Sequence, residues 1–300
     1  MFIDLLKSGP FLVTGAAGFI GAALVSKLLS NGEEVIGIDN LNDYYNVNLK
    51  KYRLNNLNLE FPESTKNWHF YEASIEDFAK LDKIFKIHKP KVIVNLAAQA
   101  GVRYSIEKPQ KYIQSNLVGF GNILELSRIY KVNNLIYASS SSVYGGNKKL
   151  PFSEFDQVNH PVSLYAATKK SNELMAHAYS HLFDIPVTGL RFFTVYGPWG
   201  RPDMAPMLFA NAILSEKPIK VFNNGDMVRD FTFIDDISEA VFRCCYKPAK
   251  PNKDFDKSNP ESATSFAPSL ILNVGNGRPV NLMDFIELLE ISLGKKAIKE

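Results

Sequence analysis

Short apolar runs alternate along the first two thirds of the chain with longer stretches in which apolar residues recur every three or four positions. Residues 11–14, 34–38, 68–72, 92–96, 134–139 and 187–192 read as strands, and 20–31, 75–88, 112–130 and 165–183 read as helices. The strands are apolar almost throughout instead of alternating with polar residues, so both faces of the sheet are covered. Strands that alternate with helices build a parallel sheet with right-handed crossovers. The expected fold is therefore α/β, a Rossmann-like doubly wound parallel sheet. After about Phe192 the rhythm changes: Gly197, Pro198, Gly200, Pro202 and Pro206 crowd together and the helical stretches shorten. A small C-terminal substrate lobe, 193–228 plus 247–300, is expected there. The runs RDFTFIDDI and LILNVGNG read as strands returning to the sheet, so 229–246 and 270–275 are assigned with 1–192. Residues 247–268 hold four prolines and few apolar positions, an irregular loop that is either a substrate lid or a tolerated insertion.

Composition narrows the class. Of 300 residues 46% are hydrophobic, and 34 Lys+Arg against 31 Asp+Glu leave a net charge of +3, which excludes a disordered chain. The lysines are scattered and form no arginine-rich arm, so no nucleic-acid partner is expected. Cys244 and Cys245 are adjacent, which argues against a structural disulfide between them and fits a reducing compartment; they read as small buried hydrophobes. Lys7 followed by an apolar run resembles a signal peptide, but Gly15, Gly18 and Gly21 interrupt the run and Lys27 ends it. A strand, turn and helix explain it better, and no other segment is apolar enough to cross a bilayer. A soluble, cytoplasmic protein without a membrane partner is expected.

VTGAAGFIGAAL carries the first chemical signal. Gly15, Gly18 and Gly21 follow a strand and open a helix, where small residues let backbone approach a pyrophosphate at the positive helix end. On its own such a triplet is also compatible with a tight turn. Asp39 supports the dinucleotide reading: it ends the next strand, where an acid hydrogen-bonds the adenosine ribose and repels a 2′-phosphate. NAD is therefore expected over NADP.

The spacing GxxGxxG resembles that of short-chain dehydrogenases/reductases, whose catalytic pair has a counterpart in YAATK. Tyr165 and Lys169 lie four residues apart, on one face of a helix. A phenol with a pKa near 10 is a poor base at neutral pH, and a neighbouring ammonium stabilises its phenolate. YASSSSVYG places hydroxyls at a strand's carboxyl end, where doubly wound sheets bind ligands; the superfamily pattern implies that Ser140 is the catalytic hydroxyl. His177 and His181 sit one helical turn apart without a third ligand, so no metal site is expected.

Longer segments extend the resemblance from about Phe11 to Gly294. GVRYSIEKP, LYAATKKSNELMAHAYSHL, RFFTVYGPWGRPDMA and RDFTFIDDI are similar to the extended branch that acts on nucleotide sugars, and in particular resemble UDP-glucuronate 4-epimerases. The resemblance implies an NAD-dependent 4-epimerase with Ser140, Tyr165 and Lys169 as catalytic residues. The cofactor would lie against Gly15, Ala17, Gly18, Phe19, Ile20, Gly21, Asp39, Asn40, Ser74, Ile75, Leu96, Ala97, Ala98 and Ala100. Asn116 would support the catalytic helix beside it, Tyr165 and Lys169 would contact it, and Phe193 would lie by the nicotinamide. A UDP-sugar is the implied substrate, with Arg229 on its pyrophosphate, Ser141 and Ser142 facing the sugar, and Arg103 or Arg201 receiving a carboxylate. Alternatively Arg229 pairs with Asp226 or Asp230, and Arg103 and Arg201 are ordinary surface residues. The polar run DNLNDYYNVNLKKY is expected to pack around the adenosine and a dimer surface.

Two departures stand out. The family's acidic adenine contact is replaced by Ser74, which implies weaker cofactor binding; relatives continue some tens of residues beyond LGKKA, so that either the chain is shortened or it binds its nucleotide less tightly. Rival readings are a UDP-glucuronate decarboxylase, a 4-epimerase of a neutral UDP-hexose or UDP-N-acetylhexosamine, and an NAD(H)-sensing regulator. Ser141 and Ser142, where decarboxylases carry acids, favour epimerisation, and the intact Ser140, Tyr165 and Lys169 disfavour the regulator. A homodimer through the helices at 112–130 and 165–183 is implied by the relatives.

Overall fold

The computed structural model describes residues 9–61 and 67–300; the Lys7 flank of the first apolar run lies outside them. In chain order the first elements are β1 (Phe11–Thr14), α1 (Phe19–Ser30), β2 (Val35–Asp39), α2 (Val47–Glu60), β3 (Trp68–Glu72), α3 (Phe78–His88) and β4 (Val92–Asn95). There follow α4 (Tyr104–Glu107), α5 (Pro109–Tyr112), a π-helical turn at Ile113–Gly119, α6 (Phe120–Ile129), β5 (Asn134–Ser140), α7 (Leu164–Phe183) and β6 (Val187–Phe192). The remainder comprises β7 (Thr194–Tyr196), α8 (Ala205–Leu214), β8 (Pro218–Ile219), β9 (Val228–Phe233), α9 (Ile234–Cys245), β10 (Ser269–Val274), β11 (Pro279–Asn281), α10 (Leu282–Leu293) and β12 (Ile298–Lys299).

The chain divides into two compact units. The first takes the described residues up to Phe192 together with Ser238–Val274, and the second takes Phe193–Ile237 with Gly275–Glu300. In the first unit seven strands form one sheet in the order β10-β6-β5-β4-β1-β2-β3, every neighbouring pair parallel. Strand order reverses between β1 and β4, which makes their carboxyl ends the ligand-binding crevice of a doubly wound sheet. β1, β2, β4 and β6 are buried along their whole length, as continuous apolar runs require when helices cover both faces. Leu12, Ile36, Ile38 and Ile93 pack against Leu81 and Phe85 of α3 and Ile123 and Leu124 of α6. Burial of each such side chain contributes about 1.5–3 kcal/mol.

Several expectations need correction here. The helix expected at 112–130 is broken by the π-helical turn, because the Asn116 carbonyl accepts from the Asn172 side chain at 2.6 Å. Residues 47–60 form α2, a helix with no apolar stripe to announce it: its buried positions are Lys50, Arg53 and Leu57. β9 does not return to the large sheet. It belongs to the second unit, antiparallel to β11 and parallel to β7 in a three-stranded sheet, whereas β10 does join the large sheet beside β6. The loop 247–268, expected in the smaller lobe, folds onto the first unit. Gln157 Nε2 donates to the Pro260 carbonyl at 3.1 Å, His177 Nε2 lies 2.7 Å from Ser265 Oγ, and Phe266 meets the His177 and His181 rings edge-on. Cys245 is buried, and burial pushes its thiol pKa up, which keeps it inert. The second unit gathers Ile219, Leu282 and Ile286 with Phe209 and Phe285 into its own small core. No helix among the described residues is long and apolar enough to cross a membrane.

Candidate active site

The chain leaves β1 at Thr14 and turns through Gly15, whose φ of +70° favours glycine, and a Cβ there would lie 2.9 Å from the Ala97 nitrogen. A Cβ on Gly18 would lie 2.9 Å from the Gly15 carbonyl oxygen, and one on Gly21 would overlap that same oxygen. The three glycines thus let α1 seat on the end of β1. Gly18 caps α1 with no side chain on the helix's first N–H groups, which leaves them for an anion. Phe19 is buried and Ile20 half-buried on the first turn.

Asp39 is 6% exposed and already ordered: one carboxylate oxygen accepts from Ala17 N at 3.2 Å, the other from Leu41 N at 2.8 Å. Two buried cations of α2 brace this corner. Lys50 Nζ lies 3.3 Å from Asp39 Oδ1, and Arg53 Nη1 donates to the Ala17 carbonyl at 3.0 Å and to the Tyr45 hydroxyl at 2.7 Å. Asn40 donates to Ser74 Oγ at 3.2 Å, and the Ser74 hydroxyl donates to Glu76, so Ser74 is engaged by neighbours; Ile75 is buried against Gly119.

Across the crevice, Thr14 Oγ donates to Asn95 Oδ1 at 2.7 Å and accepts from Ala97 N at 3.1 Å, tying the ends of β1 and β4. Leu96, Ala97, Ala98 and Ala100 are half-buried on that crevice. Asn116 accepts from Gln99 N at 2.8 Å and donates to the Gln99 carbonyl and to Thr168 Oγ, each at 3.0 Å. Its amide is fully committed, which makes it a link between the crevice wall and α7. The Thr168 hydroxyl in turn donates to the Tyr165 carbonyl at 2.8 Å.

Ser163 caps α7 through its hydroxyl and the Ala166 N–H, placing Tyr165 in the first turn, its ring edge-on to Tyr112. One turn on, Lys169 is 3% exposed and donates from Nζ to the Ala138 carbonyl of β5 at 2.8 Å. Burial lowers its pKa to about 8. β5 ends at Ser140, whose hydroxyl accepts from Ser142 N at 3.1 Å, and Ser141 and Ser142 follow half-buried. Tyr165, Lys169 and the serine-bearing strand end are thus joined by α7 and β5 at the carboxyl side of the sheet.

A buried network behind this strand end escaped the sequence. Ser139 Oγ donates to Glu173 Oε1 at 2.7 Å, and Arg191 grips both Glu173 oxygens at 2.9 and 3.0 Å. Arg191 also donates to the Tyr144 hydroxyl at 3.0 Å, which donates to Asn273 Oδ1 at 2.7 Å. Burial alone would raise the Glu173 pKa, but its bonds to Arg191, Lys170 and Ser139 outweigh that and lower it. A glutamate one turn past Lys169 and an arginine inside an apolar strand are the only sequence signals for this pair.

Each remaining candidate is described within its own unit. Arg103 is exposed at the start of α4. In the second unit, Arg201 is engaged by Asp203 through two bonds at 3.0 and 2.5 Å, so its guanidinium already holds a carboxylate. Arg229 is exposed on β9 and donates to the Val228 carbonyl. The alternative pairing with Asp230 is not formed: that carboxylate accepts from Asn276 N at 2.8 Å and Gly277 N at 2.7 Å. Phe193 is half-buried beside Gly275.

Known proteins share this sequence pattern and fold. The sequence matches the NAD dependent epimerase/dehydratase family over residues 11–256. Protein CapI of Staphylococcus aureus is 56% identical over 288 residues, covering 96% of this chain and 84% of CapI. The probable UDP-glucuronate 4-epimerase of Rhizobium meliloti is 45% identical over 289 residues, covering 96% and 83% of the two chains. The crystal structure of UDP-glucuronic acid 4-epimerase from Bacillus cereus, in complex with UDP-glucuronic acid and NAD, superposes with a TM-score of 0.82 at 33% identity, covering 97% of this chain and 85% of that one. A glycine cradle that Cβ atoms would fill, an open helix end and a pre-ordered Asp39 fit a dinucleotide at the switch point. The chain belongs to the NAD dependent epimerase/dehydratase family, and NAD is its cofactor.

Proposed function

We propose that the protein interconverts UDP-glucuronate and UDP-galacturonate by inverting the sugar at C4. The observation that carries this reading is the joining of Lys169 to the strand that ends in Ser140, with Tyr165 one turn before it on α7. Bound NAD would supply reversible hydride chemistry at C4, so that the reaction closes without net oxidation. Tyr165 takes the proton of the 4-hydroxyl, and Ser140 holds that oxygen by a hydrogen bond. Lys169, an ammonium in a desolvated setting, stabilises the phenolate form of Tyr165. Arg229 receives the diphosphate through its guanidinium fork and keeps the 4-keto sugar tethered while it turns over.

Ser141 and Ser142 follow Ser140 where a decarboxylase would place acids, which supports epimerisation over loss of CO₂. The names of the Rhizobium and Bacillus relatives support a glucuronate substrate. A neutral UDP-hexose is the second reading, and the engagement of Arg201 by Asp203 favours it. With glucuronate, the carboxylate then falls to Ser141, Ser142 and Arg103.

Incubation with UDP-glucuronate and NAD, followed by proton NMR of the sugar, tests the reading. UDP-galacturonate approaching one ratio from either side is the expected result. A UDP-pentose with CO₂ would replace it by decarboxylation, and turnover of UDP-glucose alone would move the substrate to a neutral sugar. The working state is read as a homodimer, because Leu174 and Leu182 of α7 and Val118 of the π-helical turn expose apolar side chains. Light scattering is expected to give twice the 33.6 kDa chain mass, and Leu174→Glu to shift it toward the monomer.

A further inference from the structure

Among the described residues, one group of potential metal ligands lies outside the candidate active site. Glu34 immediately precedes β2, His69 is the second residue of β3, and His88 closes α3. His69 Nε2 and His88 Nδ1 each lie 3.9 Å from Glu34 Oε1, and one ligand atom from each of the three residues falls within 4.8 Å of the others. The three side chains therefore converge on a point at the amino ends of β2 and of its edge neighbour β3. Asp39 ends the same strand that Glu34 precedes, so the cofactor corner is about 16 Å away at ~3.3 Å per residue.

We propose that Glu34, His69 and His88 form a binding site for a divalent transition metal of the zinc class, with a fourth position open to water. Two imidazoles and a carboxylate are a donor set suited to zinc, whereas magnesium and calcium prefer oxygen alone. Tetrahedral bonds of about 2.0–2.1 Å set ligand atoms roughly 3.4 Å apart. The two 3.9 Å pairs need to close by about half an ångström, and the two histidine nitrogens, within 4.8 Å of each other, by at most roughly 1.4 Å, a movement within reach of the half-exposed Glu34 and His69 side chains. His88 is the anchored ligand. It is largely buried, and its far nitrogen, Nε2, lies 2.8 Å from the Tyr71 hydroxyl. With the proton on Nε2 and donated to that oxygen, Nδ1 turns its lone pair toward Glu34 and His69. An outer partner that fixes the ring and its tautomer is the usual support of a metal-bound histidine. An ordinary pair of stacked surface histidines needs no such aim; here the ring centroids lie 4.8 Å apart with both facing nitrogens on one carboxylate oxygen. A bound ion would cross-link β2, β3 and α3.

The test is calorimetric titration of the NAD-loaded, chelator-stripped protein with zinc chloride, and it reads binding without any reference to the epimerase reaction. One equivalent is expected to bind, with affinity at least ten-fold weaker in His69→Ala and in His88→Ala and unchanged in His177→Ala. Magnesium chloride is expected to give no binding. Saturating zinc should raise the melting temperature by roughly 3 °C or more in the unaltered protein. Should His88→Ala fail to fold, His69→Ala and Glu34→Gln, at more exposed positions, carry the test. Absence of zinc binding below millimolar concentrations would overturn the proposal, as would one-equivalent binding that survives His69→Ala and Glu34→Gln.

Discussion

Burial holds the Lys169 pKa down to about 8, against 10.5 for a solvated lysine. In the folded, cofactor-free protein the group therefore binds fewer protons than in the unfolded chain between those two values. Stability then rises with pH across that window, because the cost of a buried ammonium is present below about 8 and disappears as the unfolded lysine also deprotonates. Relative to Lys169→Met, the unfolding free energy is expected to climb by roughly 3 kcal/mol from pH 8 to 10.5. Parallel denaturation curves for the two proteins over that range would remove the buried-charge account. For Tyr165→Phe, loss of the phenolic proton acceptor is expected to cut turnover by roughly 10²–10⁴-fold. Bound NAD, read from absorbance after denaturation, should stay at the level of the unaltered protein. The residue scale is also where the sequence was most readable: Gly15, Gly18, Gly21, Asp39, Tyr165 and Lys169 all carry local spacing signals. Glu34, His69 and His88 carry none, since they meet only after β2, β3 and α3 are packed.

At the scale of elements, the pairing of Glu173 on α7 with Arg191 on β6 fastens that helix to the sheet, and Ser139 adds the end of β5. Arg191→Met takes the two-pronged partner from a carboxylate that is 5% exposed and leaves it only Lys170 and Ser139, expected to cost about 3 kcal/mol in chemical denaturation. Adding Glu173→Met should recover most of that loss, because two apolar side chains can replace a buried ion pair. A double variant no more stable than the single one would mean that the pair serves as more than a fastener of these elements. Element boundaries followed the apolar pattern at β1, β6 and α7, whereas α3, expected from residue 75, starts only at Phe78 behind its Asp77 cap. They failed where polar groups shape the backbone. α2 buries Lys50 and Arg53 to brace the Gly-rich turn, so its inward face looks hydrophilic in sequence. The π-helical turn at Asn116 answers to bonds with α7, and no periodicity in its own segment reports them.

For the whole molecule, the parallel sheet followed from the alternation of strands and helices, and its switch point located the crevice before any side chain was placed. The division of the later chain was less readable. Strand-like runs announce that a segment pairs, but RDFTFIDDI and LILNVGNG give no sign of which sheet each joins, and β9 and β10 part company on that choice. The loop 247–268 likewise shows its irregularity in sequence but not its anchorage, which depends on single side chains such as Ser265 and Phe266 meeting α7.

The late arrival of β10 has a bearing on how the protein is made. β6 ends at Phe192 and its outer neighbour begins only at Ser269, so on the ribosome a parallel strand waits while 76 further residues are synthesised. At about 5–20 residues per second that is roughly 4–15 s during which an apolar strand shows an unpaired edge. Such an edge is a template for wrong pairing with another chain. The interval is a window in which a holdase chaperone, or a slower translation rate over the second unit's codons, would decide the yield of native protein.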